Sequence, residues 1–328
     1  MSPGRALLRT MVAAIAAAMM QSAVAVAAEL PFAEWLDGVR QEARGQGISE
    51  ATLTAALAGV QPIDRVLELD RKQPEFTLTF QQYLDRVVTA DRVERGRQRL
   101  IQHRALLDEV GRHYGVSPRF IVALWGVETD FGRLTGGFPV VDALATLAYD
   151  GRRSAYFRKE LMQALTIIEG GHIAPEEMRG SWAGAMGQCQ FMPSSYVRFA
   201  RDQDGDGRAD IWTTPADVFA SAANYLSSSG WKAGETWGRA VTLPPGLDAA
   251  LINGETLKPL AEWQALGVRR ADGGALPRHS EVRAAVIAAE PGGPAFLVYD
   301  NFRTILKWNR SVFFGLAVGH LADRIATP

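Results

Sequence analysis

The stretch LWGVETDFGR, Leu124 to Arg133, sets one carboxylate, Glu128, among large apolar side chains. Ser117-Pro118 upstream has the form of an N-cap followed by proline at the first helical position, so a helix is predicted to begin there and to run to Gly132. On that helix the neighbours of Glu128 three and four residues away are Leu124, Trp125, Phe131 and Gly132. Burial beside Leu124 and Trp125 penalises the ionised form and raises the carboxyl pKa. A rise of about two units costs roughly 2.7 kcal/mol of differential solvation, which is useful only where the protonated form works, as in a general acid. The plain alternative is a partly exposed glutamate paired with Arg133. Asp130, two residues on, points to another side of the helix.

A second candidate segment is RGSWAGAMGQCQFMPSSY, Arg179 to Tyr196. Gly184, Ala185 and Gly187 let a backbone approach a ligand closely. Gln188 and Gln190 offer amides that both donate and accept, and Trp182, Phe191 and Tyr196 supply flat apolar faces. This mixture suits neutral, amide-bearing sugars. It equally suits a tight joint between helices in which small residues only permit packing. Pro193-Ser194 is predicted to lead into another helix.

In DQDGDGRADIW, Asp202, Asp204 and Asp206 followed by Gly207 reproduce the first half of an EF-hand calcium loop, with the Arg208 carbonyl at the seventh position. Three carboxylates that close repel one another without a cation. The twelfth position, normally a bidentate glutamate, is Thr213. Asp217 could close the shell, although in TTPAD, with Thr214 as an N-cap, it also suits a helix dipole. The histidines at 103, 113, 172, 279 and 320 show no metal-ligand spacing. There is no P-loop, dinucleotide fingerprint or nucleophile elbow. Cys189 reads as a buried thiol.

Around these segments the chain supplies the elements that must position them. Arg5 and Arg9, an apolar run and the small residues of SAVAVAA have the layout of a cleaved export signal over residues 1–28, without a cysteine for a lipid anchor. Loss of those arginines takes the formal charge from −1 to −3. That leaves no basic footprint for nucleic acid and no polybasic segment for anionic lipid. A single cysteine allows no internal disulfide, so about 300 residues must be stabilised by packing. Helical periodicity dominates residues 29–109, with Phe32, Trp35, Leu36 and Val39 in the first helix and Ser49 as the cap of the next. Residues 110–239 hold the motifs. The runs AVTLPPG, VRAAVIAAE and FLVYD predict a small sheet within 240–300, and residues 301–328 return to a helix.

Taken together, the segments GVETDFG, DALATL, RRSAYF, GSWAGAMGQCQFMPSSY, the aspartate loop with ANYL behind it, and NFRTILKWNRS resemble the lytic murein transglycosylases of the membrane-bound transglycosylase B type, glycoside hydrolase family 103. They stand in that family's order and span most of the chain. The resemblance implies a mainly α fold: a lysozyme-like helical core at 110–239, completed by the C-terminal helix at 301–328, with an N-terminal helical domain at 29–109. A small β subdomain at 240–300 and an EF-hand-like loop at 202–217 complete it.

It implies cleavage of the β-1,4 bond between N-acetylmuramic acid and N-acetylglucosamine in peptidoglycan, leaving 1,6-anhydro ends, with Glu128 as the single acid/base. The substrate's acetamido group would replace a second carboxylate, as in substrate-assisted glycosidases. Ser181 and Gln190 would bind the sugar, Tyr83, Tyr156, Phe191 and Tyr225 would line the groove, and Asn309 would reach in from near the C terminus. Structural calcium would be held by Asp202, Asp204, Asp206, the Arg208 carbonyl and Asp217, with no organic cofactor. Trp308 departs from the family pattern, which has tyrosine there.

The expected setting is the periplasm and the expected partner is the glycan strand, with no nucleic acid and no membrane span after signal cleavage. A hydrolytic muramidase and a catalytically silent peptidoglycan-binding scaffold are the competing readings.

Overall fold

The computed structural model describes residues 30–72, 78–278 and 282–327. The segment read as an export signal and His279 lie outside the described residues. The described residues divide into two units, one ending at Val39 and the other beginning at Arg40. In the first, α1 (Phe32–Gly45) begins, and Phe32 stacks on Trp35 with ring centroids 5.5 Å apart. The second unit holds everything that follows.

Short helices open it: α2 (Glu50–Leu57), α3 (Asp64–Arg71), α4 (Phe80–Val87), α5 (Ala90–Gln102) and α6 (Arg104–Tyr114). Ser49 caps α2 as expected, its Oγ accepting from the Thr52 amide, and Thr79 with Gln82 forms a full capping box on α4. These helices are tied to the body by specific polar contacts. The Ile63 amide donates to Thr146 Oγ1 at 3.0 Å. Asp70, buried on α3, accepts from both Arg152 and Arg153.

At the centre runs α7 (Pro118–Thr129), in which every residue from Phe120 to Gly126 is buried. A helix apolar on all sides must be surrounded. It is enclosed by α5 and α6 and by the last helix, α14 (Val312–Ala326). Ser117 makes no side-chain cap bond; the helix starts instead on the preset φ of Pro118.

The helix also stops three residues earlier than the sequence pattern predicts. Asp130 and Phe131 take left-handed backbone angles, φ 52° and 62°, and Gly132 follows at 81°. Each non-glycine residue there costs about 1–2 kcal/mol. The surroundings hold them: Thr129 Oγ1 accepts from the Gly132 amide, and Asp130 is clamped by Arg92, Arg95 and Arg133.

Beyond α7 come the two-residue strand β1 (Phe138–Pro139), α8 (Val140–Tyr149), α9 (Ser154–Glu169), β2 (Arg179–Gly180), α10 (Pro193–Phe199) and α11 (Pro215–Ser228). A five-stranded antiparallel sheet follows, in the order β4 (Lys258–Pro259), β6 (Arg283–Ala288), β7 (Ala295–Val298), β3 (Gly238–Thr242), β5 (Arg269–Arg270). Val286 pairs with Leu297, and Gly238 with Val298. The sheet has its own core. Val241, Val286 and Leu297 pack with Leu260 and fully buried Trp263 of α12 (Leu260–Ala265), and the Trp263 indole donates to the Ala284 carbonyl. The chain then returns through α13 (Asp300–Trp308) to α14. Strand β3 begins at Gly238, so the sheet starts two residues before the boundary read from sequence.

His320 of α14 is enclosed by Phe80, Trp237 and Phe296. Its Nε2 has no hydrogen-bond partner among the described residues. Burial pushes its pKa below the ordinary 6.5, with Arg324 adding to that and Asp323 opposing it. A depressed folded-state pKa means that the unfolded chain binds more protons, so this contribution is present above pH 6.5 and is lost as the pH falls through the folded value. Taken alone, this group makes stability decline below pH 6.5 by at most about 1.4 kcal/mol per pH unit, an amount that denaturant unfolding reads as the difference between wild type and variant. His320→Phe should flatten that part of the profile; an unchanged slope in the variant contradicts the assignment.

Candidate active site

Glu128 lies in the last turn of α7. As a residue it keeps some accessible surface, yet its carboxyl is desolvated enough to push the pKa up to about 7. Burial is the cause, and a hydrogen bond works against it: the Trp308 indole N–H donates to Glu128 Oε1 at 2.7 Å. The alternative pairing with Arg133 does not form, because that guanidinium turns to Asp130 Oδ2 at 3.2 Å. A carboxyl half-protonated near neutral pH can give and take a proton under ordinary conditions. Behind it is a narrow apolar cavity of about 10 Å³, lined by Ile121, Leu124, Cys189, Val218 and Trp308 among others and at the lower limit of the room one water needs.

The segment after β2 folds back on itself. Met186 bridges both Gly180 and Phe191, and the Ser181 amide donates to the Ala185 carbonyl at 2.8 Å. Its glycines face protein. A Cβ on Gly184 would lie 2.4 Å from Leu144 Cδ2, and one on Gly187 would lie 2.7 Å from the Ile211 carbonyl, both at positive φ. Closing the loop therefore explains these glycines without a ligand.

Gln188 is the brace. Its Oε1 accepts from the Trp125 indole at 2.7 Å and its Nε2 donates to the Trp212 carbonyl at 2.7 Å. Ser181 Oγ accepts from the Ala185 amide, and Gln190, at φ 49°, donates from Nε2 to the Thr135 and Gly187 carbonyls. Cys189 is buried with its thiol against the Val218 carbonyl. Buried Glu160 of α9 accepts from the amide and hydroxyl of Ser194 and so caps α10.

Aromatic side chains gather beside Glu128. Phe191 and Tyr225 lie 5.1 and 4.7 Å from Trp308, ring centre to ring centre. Tyr83 is near enough that the Glu128 charge, after burial, raises its pKa. Tyr156 is largely exposed, with its ring edge on Phe157. Asn309 is exposed just past α13, its Oδ1 accepting from the Ser311 amide, so it is the preceding residue, Trp308, that meets Glu128.

In the aspartate loop, Asp202, Asp204 and Asp217 each offer an oxygen, all within 4.8 Å of one another. Asp217 is fully buried and accepts from the Gln203 and Asp210 amides, both at 2.7 Å. Burial raises its pKa, and the charges of Asp204 and Asp202 add to the rise. Asp206 is outside that group and pairs with Arg208. Thr214 makes no cap bond with its side chain; its hydroxyl and that of Thr213 donate to Asp210, which closes the turn.

A transglycosylase SLT domain model matches residues 31–323. Membrane-bound lytic murein transglycosylase B of Escherichia coli (strain K12) is 32% identical over 291 residues, 85% of this chain and 79% of that protein. The chain belongs to the lytic murein transglycosylase B family. Among solved structures, SltB3 from Pseudomonas aeruginosa in complex with NAG-anhNAM-pentapeptide is similar at 47% identity and TM-score 0.87, covering 90% of this chain and 79% of that one. The Escherichia coli lytic transglycosylase SLT35 in complex with calcium is similar at 32% identity and TM-score 0.75, covering 90% and 93%.

In this lytic transglycosylase the sequence reading missed three residues that organise the site. Trp308 carries no local signal, because its partner is 180 residues away. Gln188 is of the same type as Gln190 and shares its segment, and Asp210 lies beyond the Asp202–Gly207 pattern. The one local signal belonged to Asp210, which occupies the ninth position of an EF-hand loop that starts at Asp202.

Proposed function

We propose that this chain cleaves the β-1,4 bond between N-acetylmuramic acid and N-acetylglucosamine in peptidoglycan, with Glu128 acting first as acid and then as base. The observation that carries the reading is a carboxyl that burial raises to about 7 against the opposing pull of one indole N–H, beside a cavity in whose lining, among the described residues, Glu128 is the one carboxylate. Pairs of carboxylates serve ordinary glycosidases; a lone one suits intramolecular attack. Glu128 protonates the glycosidic oxygen as its bond to C1 breaks, then takes the proton of the muramyl 6-hydroxyl as that oxygen bonds to C1. The bound anhydro-sugar of the SltB3 relative supports this product. Ser181, Gln190, Phe191, Tyr83, Tyr156, Tyr225 and Asn309 are the proposed substrate contacts, on a core formed by residues 110–239 and the final helix. In a digest of purified sacculi, soluble muropeptides should appear with no rise in borohydride-reducible muramic ends. A matching rise in reducible ends would mean hydrolysis.

Action on the sacculus would set the enzyme in the periplasm; no helix among the described residues is long and apolar enough to cross a membrane. Calcium is the proposed resident ion. The donor set is all oxygen, as a hard cation requires, and the mutual repulsion around buried Asp217 is what such an ion would relieve. Asp202, Asp204 and Asp217 would hold it, with Asp206 and the Arg208 carbonyl as further ligands. Its role would be to neutralise and fix the loop that leads into α11. For a site with Kd of about 10⁻⁴ M, 1 mM calcium stabilises by about 1.4 kcal/mol, a few degrees in Tm. Asp204→Ala should abolish that rise in a thermal melt, and a wild-type melt indifferent to calcium and chelator would refute the site.

A further inference from the structure

An indole N–H donates a hydrogen bond, and the ring has no acceptor to offer in return. Because the Trp308 N–H points at Glu128 Oε1, that oxygen is an acceptor whether the carboxyl is charged or neutral. We infer that Trp308 is a positioning residue that confines the acid proton of Glu128 to Oε2. The inference rests on the acid/base reading above and deepens it.

The indole is held in place. Phe191 and Tyr225 pack on it, and the Tyr225 hydroxyl donates to the carbonyl of Lys307, the residue before it, at 2.6 Å. Phe191 is itself fixed by paired backbone hydrogen bonds to Met186. Two other titratable groups feel the Glu128 charge: the Tyr83 phenol from α4 and the Cys189 thiol from the loop before α10. In both, burial first and that charge second push the pKa up, so both stay neutral where Glu128 titrates. The charge of Arg92 of α5 opposes that rise at Tyr83. The indole is therefore the group that makes the two carboxyl oxygens different.

That difference matters because the reaction needs two proton transfers through one carboxyl. In the first, Oε2–H gives its proton to the glycosidic oxygen, which keeps the electron pair of the broken C1–O bond. In the second, the 6-hydroxyl oxygen bonds to C1 and releases its proton to the carboxylate. C6 stands on the β face of the pyranose, so the 1,6 bridge closes on the face that the β-linked leaving group has just vacated. One oxygen can serve both steps. With Oε1 occupied by the indole, Oε2 is the oxygen that recovers the proton, and the acid is reset without rotation of the carboxyl.

Trp308→Phe removes the donor and keeps an aromatic ring, while Trp308→Tyr restores a hydroxyl that can donate. Two readouts are needed on each: the pH dependence of kcat and KM for muropeptide release, and an infrared titration of the Glu128 carboxyl, recognised as the band lost in Glu128→Gln. Loss of a donor that favours the carboxylate should move the Glu128 titration up by about one pH unit in the phenylalanine variant and lower kcat about tenfold, with KM essentially unchanged. The tyrosine variant should recover most of both. A phenylalanine variant with wild-type titration and kcat overturns the inference, as does a tyrosine variant that melts like wild type yet recovers neither. Should the wild type release no anhydro products, the proposed function fails, and the infrared titration still decides whether Trp308 controls Glu128.

Discussion

Glu128→Gln should retain the fold and lose sacculus cleavage by at least about 10³-fold, since in the proposed mechanism one side chain supplies both general acid and general base and each role is worth roughly 10²–10⁴. Glutamine is nearly isosteric, and its amide oxygen can still accept from the Trp308 indole, so the aromatic cluster of Phe191, Tyr225 and Trp308 should remain assembled. The stability change has a definite sign. In the wild type the folded-state pKa, about 7, stands above the ordinary 4.5. At this group the folded chain then binds more protons, and its contribution to stability falls as the pH rises from 4.5 through 7. Glutamine has no charge to desolvate, so the variant should gain stability on the wild type above neutral pH, on the order of 3 kcal/mol at pH 8. Inactivity accompanied by that gain identifies a functional carboxyl; inactivity with a loss of stability would mean that Glu128 holds the helix end together.

The second large effect concerns stability alone. Trp237 is fully buried where the sheet meets the final helix, with its ring near Phe296 of β7, Phe302 of α13 and His320 of α14. Its carbonyl accepts from the Tyr299 amide at 2.9 Å, and its indole N–H donates to Asp323 Oδ2 at 2.9 Å. Asp323 also accepts from Arg119 of α7 at 2.8 Å, which links the sheet to the helix that carries Glu128 through one side chain. Trp237→Ala removes a large buried ring and leaves a cavity, an expected loss of about 3–5 kcal/mol, or roughly 6–20 °C in Tm. Urea and thermal unfolding would measure it. A loss below about 1 kcal/mol would show that the sheet and α14 do not depend on this contact.

How much of this was legible beforehand follows from how local each interaction is. The helix start at Pro118, the cap at Ser49 and the three β-favouring runs depend on neighbours in sequence, and all three are present. Glu128 could be picked out because its apolar neighbours lie within one helical turn. The early stop of α7 could not, because the left-handed pair Asp130–Phe131 is held by Arg92 and Arg95, brought in from α5. Thr214 looked like a cap because it precedes Pro215, yet its hydroxyl is drawn to Asp210, a competitor inside the same loop. The glycines at 184 and 187 allowed a ligand-facing or a packing role, and only the positions of Leu144 and Ile211 decide for packing. Trp308 is the clearest case, since no periodicity links it to Glu128.

The most direct test of the central claim is mass spectrometry of the muropeptides released when the protein digests purified sacculi in ¹⁸O-labelled water, with Glu128→Gln as control. Cleavage by the muramyl 6-hydroxyl predicts products lighter by one water than the hydrolytic fragments, free of label, and absent from the control. Labelled muramic ends at full hydrolytic mass would show that water is the nucleophile, and would contradict a mechanism that rests on one carboxyl alone.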